Sequence, residues 1–578
     1  MYKRCLILIA VSALPVGAQT GRGPAVPVAG SASVRTNGTL GTIRLGAADD
    51  GVWFGWHVGV PAAAFRKMTF SEAAAKADLL GLGSIEGFDN QILSPEIPKK
   101  LTPDLKEGER NAVAFRLAEL SVKMPAYHVE TFPADEASRR KLFDFAKSVG
   151  AGTVIGPVQP ADFVAVEKLA SAAGIRVAVE SRTDPKQLIA GMSSAGKQLG
   201  VAVDLGAWAR AGIKPEDGLA IVKDRLMAVN IPSSPATLEG FFLAAFRAEI
   251  KPLIITLDAP NATDLMAELG RSIAAFEKAM LPAMAARVAQ VVDSPVGKIQ
   301  MGDRLPAEMR RQIEAAVPRQ AIVKPKKPRK LLVVDLQMYS KAQPQGHATI
   351  PHGNLMLELM GKYTGAFEPV FSNDLANLKY PKIKEFDAVF LNNVCGMVFP
   401  DPQVREGILR FVREGGGIGG SHAVTYANLN WPEFTEMLGA WSGEHRTETQ
   451  VLKVDDPASP LTAMFGGKGL EHTDEFYHMP AYSPYSREKQ RVLLSIDVEK
   501  SDLATAGRFC RNCTRPDHDY AVSWIKNYGK GRVFCTPLGH TPILYTSPQW
   551  EQHVLAAVQF MLGDLDADAT PSAKIVRK

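Results

Sequence analysis

The sequence predicts an α/β protein in two parts, a (β/α)8 barrel followed by a doubly wound α/β domain. Three observations carry this. Eight short apolar runs alternate with helix-like stretches across the first half, the rhythm of a closed parallel barrel. A seam of prolines and cations, "KPKKPRK" at Lys324–Lys330, interrupts that rhythm. Behind it, strand-then-helix alternation resumes with almost wholly apolar strands, as a parallel sheet covered on both faces requires. At 578 residues the chain is also too long for one ordinary core.

At the N-terminus, Lys3 and Arg4 precede the apolar run "CLILIAVSALPVGA", and Val16-Gly17-Ala18 fits a small-x-small cleavage pattern. Residues 1–18 therefore read as a secretory signal peptide, with a periplasmic or secreted destination expected. Residues 19–48, rich in Gly, Ala, Ser, Thr and Pro, read as a flexible lead-in. No later run is long and apolar enough to suggest a membrane span. Hydrophobic residues make up 46% and charged residues 22%, the balance of a globular protein. The net charge of +5 comes with no basic stripe interleaved with aromatics, so nothing points to nucleic acid. Cys510 and Cys513 form a single C-x-x-C, "CRNC". A structural zinc site would need a second pair; a local disulfide and a pair of free thiols both remain open.

The barrel is expected over 49–300. Its strands are "VWFGWHVGV", "LGSIEGF", "MPAYHVE", "GTVIGPV", "RVAVES", "VAVDLG", "LMAVNIP" and "PLIITLD", separated by helical stretches such as "FSEAAAKADLLG" and "VEKLASAAG". Active sites of such barrels lie at the carboxyl ends of the strands. Polar residues there are Glu86, His128, Glu130, Glu180, Asp204, Asn230 and Asp258. An irregular linker is expected over 301–328, its charged end a solvated connector.

The second domain is expected over 329–566, with a tail over 567–578. "KLLVVDL", "FEPVFS" and "FDAVFLNNV" read as strands and "HGNLMLELMGKY" as a helix. "DPQVREGILRFVREGG" reads as a helix with Asp401 at its start and Gly415 at its end. "GGIGGSHA" returns as a strand that ends at His422. Asn392, Asn393 and His422 thus fall at strand ends, where ligands of such sheets bind. Nine of the eleven histidines follow the seam, which makes this domain the better candidate for chemistry near neutral pH. Ser421 lacks the closing glycine of a G-x-S-x-G turn, which argues against a serine nucleophile. His422 is instead an acid/base, sugar-binding or metal-binding candidate. Its expected companions are His445 in "SGEH", Glu475 in "DEFYH" and His540 in "LGH". Such a set can transfer protons, with the carboxylate orienting the imidazoles, or hold a zinc-like ion. Tyr477 and Phe476 beside the acid suit a sugar's mixed faces, or equally a core. His472, His478, His518 and His553 read as structural.

Residues 50–290 resemble the xylose-isomerase-like sugar isomerase/epimerase barrels through "VAVES", "VAVDLGAWARAGIKPED", "DRLMAVNIP" and "GRSIAAFEKAM". The resemblance implies a divalent metal on Glu, Asp, His and Glu at four strand ends. Glu180 and Asp204 match the first two, whereas Asn230 stands where His is expected. Asp258 only neighbours the last position, and Trp208 replaces another His. Residues 330–563 resemble the ThuA-like (trehalose utilisation) family through "FDAVFLNN", "FVREGGGIGGSHA", "WPEFTEMLGAWSGEH", "HTDEFYHM" and "VSWIKNYGKGRVFCTPLGH". That implies a flavodoxin-like fold related to class I glutamine amidotransferases, whose Cys nucleophile is here replaced by Ser421-His422. Both resemblances imply carbohydrate chemistry. The expectation is an enzyme acting on a keto-sugar or glycoside by proton transfer, through isomerisation, elimination or hydrolysis. His422, Glu475 and His540 would be catalytic, Asn393, His445, Tyr477 and Asn230 would bind substrate, and one zinc or manganese ion is the expected cofactor, with Glu180 and Asp204 as barrel ligands. The alternative is a non-catalytic carbohydrate-binding protein with a degenerate barrel.

Overall fold

A computed structural model describes residues 56–575 apart from 121, 182–183, 233–237, 252, 261, 339–345, 443–444, 480–482 and 502–514. The expected signal peptide, the lead-in, Cys510 and Cys513 lie outside the described residues.

Eight parallel strands close into a barrel in chain order: β1 (His57–Pro61), β2 (Ser84–Phe88), β3 (Lys123–His128), β4 (Thr153–Gly156), β5 (Arg176–Ser181), β6 (Leu199–Asp204), β7 (Leu226–Pro232) and β8 (Ile254–Asp258). Alternation along each strand sorts the side chains. Tyr127, Val177, Val179, Val201, Val203, Val229 and Ile255 pack outward against the helices. The intervening Ala126, Ala178, Ala202, Ala228 and Ile254 fill the lumen. Two residues further along the same face stand His128, Glu180, Asp204, Asn230 and Thr256, so strand period alone carries these polar groups to the mouth.

The second half is a nine-stranded sheet. Its strands are β9 (Lys330–Val334), β10 (Glu368–Phe371), β11 (Ala388–Asn392), β12 (Gly417–Ser421), β13 (His445–Val454), β14 (Leu470–Tyr477), β15 (Arg491–Ile496), β16 (Ala521–Tyr528) and β17 (Gly531–Thr536), in spatial order β10-β9-β11-β12-β17-β16-β15-β13-β14. The expected parallel, doubly wound sheet holds for β10, β9, β11, β12 and β17. From β17 to β14 the sheet is antiparallel. The reason is local: β16 and β17 are joined through Gly529-Lys530, with Gly529 at φ +60. Two residues close a hairpin but cannot make the crossover that parallel strands need. The helix Pro402–Glu414 runs between the expected caps: the Asp401 side chain accepts from the Gln403 N–H at 2.8 Å, and Gly415 follows at φ +124.

The expected irregular linker is instead partly helical. Ala307–Ala316 is an α-helix whose Ile313 packs into the second core, followed by Val317. Further on, the Gln559 side chain accepts from the Ile322 and Val323 N–H groups at 2.7 and 3.2 Å. The cationic seam is only partly a solvated connector. Arg329 is largely buried, 2.6 Å from the fully buried Asp564 and 3.0 Å from Asp387. Amphipathic spacing set the helix, and the buried Asp564 together with the partly exposed Asp387 drew the guanidinium inward.

Candidate functional site

The Gly-rich strand β12 explains itself by packing. A Cβ on Gly419 would meet the Phe534 carbonyl oxygen at 2.4 Å, and one on Gly420 the Leu391 carbonyl oxygen at 2.4 Å. The glycines therefore let β12 lie between β11 and β17, and the run needs no phosphate to account for it. Ser421 ends the strand in extended conformation, in register with Thr536. The strained residue is the next one. His422 has φ +53, left-handed backbone that non-glycine residues rarely adopt. It is fully buried, and its Nδ1 lies 3.3 Å from the Pro537 carbonyl oxygen. A carbonyl only accepts, so Nδ1 carries the proton and Nε2 presents a lone pair.

That lone pair meets the other candidates. His422 Nε2 is 3.1 Å from His540 Nδ1 and 3.4 Å from Glu475 Oε2, and His540 Nδ1 is 3.0 Å from the same oxygen. The second carboxylate oxygen, Oε1, lies 3.5 Å from His445 Nε2. Tyr477 stands opposite His445 across the β13–β14 ladder, ring centroids 4.5 Å apart, and 5.1 Å from the His422 ring. Thus His422, His445, Glu475, Tyr477 and His540 all converge.

Two further residues build the site without having been singled out in the sequence. Asp474, fully buried, accepts from the backbone N–H groups of Gly539, His540 and Thr541 at 2.8, 2.9 and 3.0 Å. It ties the loop bearing His540 to the strand bearing Glu475. His347 stacks edge-to-face on His422 at 4.4 Å. Among the described residues, His347, His422, Glu475 and His540 are the one group of metal-capable side chains whose ligand atoms all lie within 4.8 Å of one another. The signal for His347 was its place shortly before the helix Ile350–Thr364, in the first connection beyond the carboxyl end of β9.

The electrostatics follow from this packing. Burial raises the Glu475 carboxyl, but the hydrogen bond from His540 and the charges of His445 and His540 outweigh it and hold it well below the usual range. The same hydrogen bond to Glu475 raises His540. Burial, reinforced by His422 and His540, lowers His347 to about 2.

Asn393, expected to touch substrate, is fully buried at φ +57; its amide donates to Asn392 Oδ1 at 2.8 Å. It forms the wall of the site rather than its lining. The barrel residues are not brought to this centre. At the mouth, Asn230 Nδ2 donates to Asp204 Oδ2 at 3.2 Å and Thr256 Oγ1 to Asn230 Oδ1 at 3.1 Å. Asp204 Oδ1 accepts from the Ala207 N–H at 2.7 Å as a helix cap. Both Asp204 oxygens are therefore engaged, and Glu180 pairs with His128 at 3.8 Å. Among the described residues, neither Glu180 nor Asp204 belongs to a group of three metal-capable side chains whose ligand atoms all lie within 4.8 Å of one another. Burial raises Glu86 to about 7.

Residues 335–561 match the family model described as ThuA, trehalose utilisation. The second half is a ThuA domain. The match begins at Asp335, just after β9, and closes at Met561, so every converging residue falls within it. No curated protein matches the chain. Among solved structures it is similar to a protein from Parabacteroides distasonis (21% identity, TM-score 0.35, covering 39% of this chain and 99% of that one). It is similar also to a sugar phosphate isomerase/epimerase from Parabacteroides distasonis (11%, 0.32, 42% and 98%). A ThuA-like protein from Parabacteroides merdae is a third (16%, 0.31, 43% and 100%). No helix among the described residues is long and apolar enough to cross a membrane.

Proposed function

We propose that the ThuA domain binds one divalent ion, zinc or manganese, and acts on a keto-sugar or glycoside by proton transfer. One observation carries the reading. His422 Nε2, Glu475 Oε2 and His540 Nδ1 are mutually 3.0, 3.1 and 3.4 Å apart. A tetrahedral ion with bonds of about 2.0–2.1 Å would set its donor atoms about 3.3 Å apart. Two imidazoles and one carboxylate also suit zinc or manganese in donor chemistry. A bound divalent ion supplies Lewis acidity toward a carbonyl or hydroxyl oxygen of the sugar.

The chain's own groups divide the remaining work. His422, with no exposed surface, is suited to holding and not to proton exchange with substrate. His445 is about one-third exposed and paired with Glu475 Oε1; it gives or takes the substrate proton at Nε2. Tyr477 and Tyr426 flank His445 with rings at 4.5 and 6.1 Å and offer aromatic faces to a sugar. Asp474 keeps the His540 loop in place.

Metal analysis of the purified protein tests this. About one equivalent of zinc or manganese per chain is expected, lost in His540→Ala, with turnover of 3-keto-glycosides abolished in His422→Ala. A metal-free wild type, or full turnover in His540→Ala, overturns it. Binding of sugar without turnover supports a second reading, carbohydrate binding alone. The engagement of both Asp204 oxygens favours that reading for the barrel. We also propose export through Met1–Ala18; a secreted chain whose N-terminal sequence starts at Gln19 is the expected result.

A further inference from the structure

His347 lies within the cluster, yet its hydrogen bonding sets it apart from the other three. The Gln337 side chain bridges three groups. Its Oε1 accepts from the His347 backbone N–H at 2.9 Å, and its Nε2 donates to the Asn393 carbonyl oxygen at 2.5 Å and faces His347 Nδ1 at 3.0 Å. The orientation of an amide is fixed by its partners. Turned over, this one would set its oxygen against the Asn393 carbonyl and its NH2 against the His347 N–H, losing both bonds. Gln337 therefore presents an N–H to His347 Nδ1.

The surroundings are built for that clamp. Gly346 has φ +71, and a Cβ there would lie 2.2 Å from Gln337 Oε1. Asn393 holds its carbonyl toward Gln337 from left-handed backbone, φ +57, with its own amide on Asn392. Asn392 in turn donates to Asn354 Oδ1 at 2.8 Å, and Asn354 to the buried Asp335 at 2.7 Å. A continuous chain of amides thus backs the Gln337 side chain.

The geometry points to His347 as a neutral N–H donor to a substrate oxygen at this centre, not a ligand of its ion, with Gln337 as the positioning residue that sets its tautomer. An imidazole whose Nδ1 lone pair receives the Gln337 N–H carries its proton on Nε2. It has no second lone pair to give a metal. His422 is the opposite case: its Nδ1–H is directed to Pro537, and its Nε2 lone pair meets Glu475 and His540. The inference rests on the proposed metal centre and narrows it to three protein ligands, which leaves a position open, as catalytic sites require. A carbonyl or developing alkoxide oxygen of a keto-sugar is the group such a donor suits.

The test uses the full chain. In chelator-stripped protein labelled with 15N-histidine, His347 is expected as the Nε2–H tautomer, and in Gln337→Leu that preference is lost. With zinc or manganese as probe, His347→Ala keeps the wild-type stoichiometry and Kd, while His540→Ala weakens binding by about 100-fold or more. An Nδ1–H tautomer in the wild type overturns the inference. So does metal loss in His347→Ala equal to that in His540→Ala at an unchanged melting temperature. Should the wild type take up neither ion, the metal reading falls, while the tautomer measurement still decides the role of His347.

Discussion

At the residue scale, the centre is a matter of which lone pairs face one another. Glu475 sits among three imidazoles at 3.0, 3.4 and 3.5 Å, and its charge is what each of them answers. Glu475→Gln keeps the shape and removes the charge. It is expected to lower turnover by about 100- to 10,000-fold and also to lower the melting temperature, because a carboxyl held below its usual range in the fold stabilises the folded state through its charge. Steady-state kinetics beside a thermal melt check this. Glu86, in the barrel, gives a prediction about pH. Burial raises its pKa from 4.5 to about 7, so between those values the folded state holds a proton that the unfolded state has released. Stability from this group therefore falls as pH rises through that window. Glu86→Gln should flatten the slope and be more stable than wild type above pH 7, by up to about 3 kcal/mol. Denaturant titrations at pH 5 and pH 8 decide it: equal slopes for the two proteins would refute it.

At the element scale, function depends on one loop being tied to one strand. Residues 539–541 hang from the carboxylate of Asp474 on β14 by three backbone hydrogen bonds. Asp474→Ala leaves those N–H groups without their acceptor and should cost about 2–4 kcal/mol, on the order of 1 kcal/mol or more for each lost bond to a charged group. It should also lower metal affinity by about 10- to 100-fold, since His540 loses its anchor. Equilibrium unfolding and metal competition measure the two effects. Much of this was legible beforehand. His422 fell at the end of an apolar strand, and Glu475 and His540 lay in the segments carrying the ThuA resemblance. Asp474 was not legible, because its role is to accept from backbone amides 65 residues away, and backbone groups leave no mark in side-chain pattern. His347 and Gln337 were missed for a related reason: their pairing crosses a turn that follows no strand or helix period.

At the scale of the whole molecule, a lumen of small side chains closes the barrel and a mixed sheet carries the centre, joined through a segment that is itself part of the second core. Arg329 links the start of β9 to Asp564 and Asp387. Arg329→Met strands the fully buried Asp564 without its partner and is expected to cost about 3–5 kcal/mol. A shift of the unfolding midpoint with an unchanged denaturant slope is the predicted signature. The sequence by itself determined the two-part architecture, the eight strands of the barrel, the parallel half of the sheet and the histidine-rich character of the second domain. Those follow from periodicity and from apolar runs, which act over a few neighbouring residues. The tertiary structure decided the antiparallel extension, the burial of Arg329, the hydrogen bonding of Asp204 to Asn230 and the Ala207 N–H, and which of the histidines face one another. These depend on partners far apart in the chain, where a single hydrogen bond fixes whether an imidazole offers a lone pair or a proton.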